Sequence, residues 1–235
     1  MTTIISVPFK QGAVLISDTR ATDHRLHQYI AYDKVSPTLG YSISPEVSFY
    51  IGGAGASIGT ESVVYPFLRY LQKKSNELCV DLGDLNLPQF VEYINNISAT
   101  YMSRVVPPAE LSLIEHCHFL ILVKSPKFLA AFKSNYLGGL CITIDSLNQY
   151  SSTEHDPNAA SVFEGVGSGS MYILGALLLE NENSPLYLKE ESEILAWAKK
   201  YFTRGITRDL GSSTDYGLNV RIIYKDKRES KNIRL

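Results

Sequence analysis

The residues best suited to chemistry stand at the start of the chain, MTTIISVPFKQGAVLISDTRAT. Thr2 follows the initiator methionine, and its small side chain predicts removal of Met1 by methionine aminopeptidase. A threonine exposed in that way carries a hydroxyl and a free α-amine on one residue, so the amine can act as base for its own nucleophile. An α-amine titrates at roughly 7.7–8.0, close to neutral, where general base catalysis is efficient. The design needs a lysine near the hydroxyl, to lower the pKa of the amine and help remove the proton. It also needs a carboxylate to hold that lysine. Asp18 and Lys34 are the candidates, in the seventeenth and thirty-third places when Thr2 is counted first.

The elements that must position these residues follow from periodicity. TTIISVPF alternates apolar and polar side chains and is rich in β-branched residues, which predicts a strand. Gly12 marks a turn, and AVLISD is the returning strand; IAYDKVSP and VSFYIGG continue an antiparallel opening. The period then changes: Val64, Phe67, Leu68 and Leu71 recur at helical spacing, with Pro66 either kinking that helix or marking a later start. LPQFVEYINNISATYMSRVV predicts a second helix, with Pro88 near its first turn and Phe90, Tyr93, Ile94 and Ile97 on one face. FLILV and KFLAAFKS form the next hairpin, and LCITI a further strand. NQYSSTEHDPNAAS reads as a polar loop insertion. MYILGALLLEN and EESEILAWAKKYFTRGITRD are helical, LNVRIIY is the last strand, and KDKRESKNIRL reads as a solvated end. Strands, two helices, strands, two helices and a strand indicate an α+β fold, a layered sandwich on largely antiparallel sheets. With no linker or repeat, residues 1–235 read as one domain, with an insertion around 136–163 and a polar tail at 225–235.

The intervals from Thr2 to Asp18 and Lys34, set within GAVLISDTRAT and DKV, resemble the proteasome β-subunit and the bacterial HslV-type peptidase, both N-terminal-nucleophile hydrolases. EGVGSGS is similar to that family's glycine-serine turn, whose first serine, here Ser168, lies beside the nucleophile. RDLGSS is similar to a later motif, giving Asp209 and Ser212, and IGGAGA to the segment whose glycine amide, here Gly53, forms the oxyanion hole. The resemblance covers the first 75 residues and Gly165–Tyr224 well, while Ser75–Phe163 matches only in its order of elements. It departs in a longer hairpin around Thr38–Pro45 and in extra residues ahead of GVGSGS. No long propeptide precedes the threonine, which is closer to the HslV-type enzyme, whereas RDLGSS is closer to the proteasome side.

The resemblance implies a four-layer α-β-β-α sandwich of two largely antiparallel sheets. It implies a threonine endopeptidase in which Thr2 attacks the peptide carbonyl, Asp18 and Lys34 assist, and Ser168, Asp209 and Ser212 hold the amine and an ordered water. Thr22 and Gly53 would pair with an extended polypeptide substrate. Ala21, Tyr32 and Ile51 would line the pocket for the side chain before the cut, Ala21 and Ile51 favouring apolar groups and Tyr32 narrowing it. It implies homo-oligomeric stacked rings enclosing the threonines, served by a separate ATP-dependent unfoldase or another regulator, with no cofactor.

Composition narrows the alternatives. The 235 residues, 45% hydrophobic and 20% charged, describe an ordinary globular chain with a sizeable core. A net charge of −2 gives no electrostatic case for nucleic acid or an anionic membrane. No apolar run reaches the roughly 18 residues of a membrane span. The N-terminus lacks the pattern of a secretory signal, and Cys79, Cys117 and Cys141 suit buried thiols in a reducing compartment, so a cytoplasmic location is expected. His116 and His118 share a face if extended, but no further ligand cluster lies nearby, and surface histidines are the reading rather than a metal site. No glycine-rich loop followed by Lys-Ser/Thr is present to bind ATP. A non-catalytic ring subunit, or an N-terminal-threonine transferase or ligase, remain the alternative functions.

Overall fold

The alternating N-terminal segment folds as a hairpin: β1 (Ile4–Phe9) and β2 (Gly12–Asp18) pair in register from Ile4 with Ser17 to Phe9 with Gly12. The computed structural model describes residues 2–23, 28–31, 41–42, 44, 46–54, 65–104, 118–137, 141–149, 164–206, 217–227 and 229–235. Along them run β3 (Arg20–Asp23), β4 (Gln28–Ala31), β5 (Tyr41–Ser42), β6 (Ser48–Ala54), α1 (Tyr65–Glu77), α2 (Leu87–Arg104), β7 (His118–Lys124), β8 (Leu129–Leu137) and β9 (Cys141–Gln149). After these come β10 (Glu164–Val166), α3 (Ser170–Asn183), α4 (Glu191–Ile206), β11 (Leu218–Tyr224) and β12 (Lys231–Arg234). Two five-stranded sheets, β10-β1-β2-β11-β12 and β5-β6-β7-β8-β9, accompany a two-stranded ribbon β3-β4, and every described pairing is antiparallel.

Period-two alternation decides where each strand's side chains go. Ile5, Val7, Val14 and Ile16 pack with Ile173 and Leu177 of α3 and Ile194, Trp197 and Phe202 of α4. The neighbouring residues Ile4, Ala13 and Leu15 pack instead with Tyr50, Leu120, Leu122 and Ala131 of the second sheet. The other face of that sheet sets Phe49, Ile51, Phe119 and Phe132 against Phe67, Leu68 and Leu71 of α1 and Phe90 and Ile94 of α2. Each such side chain contributes about 1.5–3 kcal/mol by leaving water. Because β1, β2 and β11 are buried along their whole length, they carry apolar residues on both faces and polar ones only at special places.

The helix starts obey local chemistry. Pro66 lies in the first turn of α1, where its missing N–H costs nothing, so it marks a start rather than a kink. Asn86 and Gln89 cap α2 reciprocally: the Gln89 N–H donates to Asn86 Oδ1 and the Asn86 N–H to Gln89 Oε1, both at 3.0 Å.

Several expectations are corrected. The two-sheet, four-layer α-β-β-α sandwich gives way to an α+β arrangement with a third, separate ribbon. The reason lies at the end of β2: its neighbour β11 begins at Leu218, opposite Asp18, and β1 begins at Ile4, opposite Ser17. Beyond Asp18 the chain has no described ladder partner in that sheet, and it turns into β3 to pair with β4. IAYDKVSP contributes only Ile30 and Ala31 to β4; residues 32–37 lie outside the described residues. Within the stretch read as an insertion, Cys141–Gln149 is a full strand against β8, while residues 150–163 lie outside the described residues.

The tail read as a solvated end instead supplies β12, an edge strand on β11. Both strands are tied to α4 through Glu191, which accepts from the Tyr224 hydroxyl of β11 at 2.5 Å and from Lys231 Nζ of β12 at 3.0 Å. The Tyr224 hydroxyl bond, and then Lys231, hold the Glu191 carboxyl below its usual pKa. Among the described residues no helix is long and apolar enough to cross a membrane.

Candidate functional site

Thr2 stands just before β1 and is only 8% exposed, so the hydroxyl-bearing residue is held in the fold. Asp18 ends β2 and is fully buried. A buried carboxylate is costly unless hydrogen-bonded, and the adjacent strand supplies a donor. The main-chain N–H of Thr3 donates to Asp18 Oδ1 at 2.7 Å, while the N–H of Asp18 donates to the Thr3 carbonyl at 3.1 Å. The candidate nucleophile and the candidate carboxylate are thus one residue apart through the backbone. On the other side of Asp18, Leu218 continues the row to Leu235, the two exchanging main-chain hydrogen bonds of 2.9 Å. Thr19 closes this end, its hydroxyl donating to the Gly217 carbonyl at 2.9 Å.

The second wall is the turn after β10. β10 pairs with β1 from Ser6 with Glu164 to Ile4 with Val166, which aims the following residues at Thr2. Gly167 has φ +93°, and a Cβ there would stand 1.9 Å from the carbonyl oxygen of Thr2. Only glycine permits that backbone and that approach. Ser168 follows directly and is exposed; continuing the register places it opposite Thr2. Ser170, at the start of α3, fixes the turn by donating from Oγ to the Gly167 carbonyl at 2.7 Å and from its N–H at 3.2 Å.

Gly53 lies on β6 opposite Phe119 of β7, and β6 lies against β1. From Tyr50 to Ala54 the described partner of β6 is β7 alone, so no described strand covers its other edge. Ala21 and Thr22 lie on β3, facing Ile30 and Tyr29 of β4 in register. Ile51 is packed in the core with α1 and α2, away from the face that Tyr50 and Ala54 present to β1 and β2. Lys34, Tyr32, Asp209 and Ser212 lie outside the described residues. The structure therefore gathers Thr2, Asp18 and the Ser168 turn, and sends the Ile51 side chain elsewhere.

Thr3, Gly167, Ser170 and Ser17 were not singled out by sequence reasoning. Thr3 acts through its backbone, which leaves no side-chain signature. Ser17 carries one faint signal: it is a polar residue in the apolar run GAVLIS.

No family model matches this chain, and no curated protein matches it. Among solved structures it superposes on a mutant of Anbu from Hyphomicrobium sp. strain MC1 with a TM-score of 0.62, at 14% identity over 100% of this chain and 88% of that one. Anbu from the same strain gives a TM-score of 0.60, at 14% identity over 99% and 87%. These likenesses show a shared fold. The resemblance to the proteasome β-subunit and HslV-type peptidase is corrected accordingly: short motifs at matching intervals suggested a family, but no family model accepts the chain, and the likeness to Anbu is one of backbone course.

Proposed function

We propose that this chain is a threonine-type hydrolase that cuts peptide bonds with Thr2 after removal of Met1. The observation that carries the reading is the pairing of Thr3 with Asp18, which sets a buried carboxylate beside a terminal threonine that Gly167 walls in. In this reading Thr2 Oγ attacks the scissile carbonyl and its proton passes to the α-amine, with Lys34 held charged by Asp18. The Gly53 N–H stabilises the oxyanion, a contribution typically worth about 3–4 kcal/mol. The C–N bond then breaks, the leaving amine takes the proton from the Thr2 ammonium, and water hydrolyses the ester on Thr2. Ser168, Asp209 and Ser212 hold the amine and that water.

An extended substrate adds as a strand between Thr22 and Gly53, a role supported by the edge of β6 that no described strand covers. Ala21 and Tyr32 line the pocket for the side chain before the cut. The exposed Met171, Tyr172 and Leu179 of α3 support assembly of several copies around the substrate, with a separate ATP-dependent unfoldase as feeder.

The test is intact mass before and after a peptide epoxyketone, a reagent that needs the hydroxyl and free amine of one N-terminal residue. One adduct on the Met1-free chain, lost in Thr2→Ala and Lys34→Ala, is expected. A Met1-free chain that forms none overturns the reading in favour of a scaffold. An adduct accompanied by transfer of peptides to added amines, without hydrolysis, identifies a transferase.

A further inference from the structure

Ser17 is fully buried on β2, and among the described residues its hydroxyl has no hydrogen-bond partner. Such an orphan is expensive, because the hydroxyl has given up water and received nothing. The strand alternation says where it points. Ala13 and Leu15 project into the core between the two large sheets, and Ser17 follows them at period two. Its cross-strand neighbour on β1 is Ile4, which enters the same core. Thr2 precedes Ile4 by two residues and so lies on that face as the diagonal neighbour of Ser17.

Diagonal neighbours stand about 7–8 Å apart, too far for a direct bond but within reach of one bridging water. A buried water requires two to four polar partners. On its other side Ser17 faces Asn219 of β11, which shares the face with Ile223 and is 8% exposed.

We infer that Ser17 is a further positioning residue: its hydroxyl, with Asn219, holds one ordered water that fixes the side-chain hydroxyl of Thr2. The inference rests on the reading of Thr2 as an N-terminal nucleophile. It assigns the hydroxyl the partner it otherwise lacks. It also explains why a polar side chain follows Ala13 and Leu15 along that face, beside the polar Thr2 and Asn219.

The experiment uses the full Met1-free chain, a peptide epoxyketone, and the variants Ser17→Ala and Ser17→Cys, with the rate of adduct formation separated from the affinity of the reagent. In both variants the maximal rate is expected to fall about tenfold, the equivalent of one hydrogen bond, with affinity unchanged. The unfolding midpoint of Ser17→Ala is expected to hold, since the bond lost is to a water and the alanine methyl is buried in an apolar core. If Ser17→Ala does not fold, Ser17→Cys, close in shape and a poor hydrogen-bonder, carries the test. A wild-type chain that reacts while the variants react at the same rate overturns the role of Ser17. A fall in rate that tracks a loss of stability makes Ser17 structural and overturns it equally. A wild-type Met1-free chain that does not react removes the reading of Thr2 instead.

Discussion

Asp18 is bound to the backbone of Thr3 twice, its carboxylate accepting from the Thr3 N–H at 2.7 Å and its own N–H donating to the Thr3 carbonyl at 3.1 Å. The first of these gives a fully buried carboxyl oxygen a donor and holds the strand end in place. Asp18 therefore has two separable roles: it anchors the residue after the candidate nucleophile, and in the proposed mechanism it supplies the negative charge that holds Lys34.

Substitution can separate them. Asp18→Asn keeps an oxygen for the Thr3 N–H and removes the charge, so the unfolding free energy should stay within about 1 kcal/mol of wild type while epoxyketone labelling of Thr2 is lost. Asp18→Ala orphans the N–H as well and should cost about 1–3 kcal/mol more. Urea unfolding and intact mass on the same samples decide. Full labelling of Asp18→Asn would remove the charge from the mechanism.

Gly167→Ala tests the wall. The positive φ alone imposes about 1–3 kcal/mol of strain on a residue with a Cβ, and the methyl would meet the Thr2 carbonyl. The variant should lose stability by at least that amount and lose labelling together with it. Retention of both would mean that the turn does not press on Thr2.

Phe90→Ala tests the core under the second sheet. Phe90 is completely buried, with ring centroids 6.0 Å from Phe49, 5.1 Å from Phe128 and 6.1 Å from Phe132. Its removal should cost about 3–5 kcal/mol in chemical denaturation. A loss near zero would show that this aromatic group is not packed as a unit.

The link that Glu191 makes from α4 to β11 and β12 should depend on pH. Folding depresses the Glu191 pKa, chiefly through the Tyr224 hydroxyl. The unfolded chain therefore takes up the proton more readily, and stability rises with pH across this interval. The contribution is fully present above the unfolded carboxyl value of about 4.3 and is lost as pH falls through the lower folded value. Thermal unfolding followed from pH 7 down to 3 should show this acid loss in wild type and less of it in Tyr224→Phe. Identical slopes would remove the link.

Much of this arrangement was legible in the residues. The hairpin of β1 and β2 announced itself by alternation, and the helical spacing of Phe67, Leu68, Leu71, Phe90 and Ile94 picked out side chains that are indeed buried. Other parts left little trace. β12 is four residues long with only Ile233 half-buried within it, too little for an alternation to register. The ribbon β3-β4 follows where Asp18 ends the described pairings of its sheet, which is a property of topology. At the site, Thr2 and Asp18 were visible as side chains, whereas the bond that joins them runs through the amide of Thr3. Ile51 looked available in sequence, yet the parity of β6 turns it toward α1 and α2.

The strand order also sets a schedule. Ile4 finds its partner Val166, and Asp18 its partner Leu218, only after most of the chain has been made. A ribosome that has released β1 through β9 has delivered the threonine, but not the strand and turn that wall it in, nor the strand that flanks Asp18. Pairings so distant in sequence form late and slowly. For the chemistry proposed for Thr2, a half-synthesised chain is idle, and competence arrives with the last third of translation.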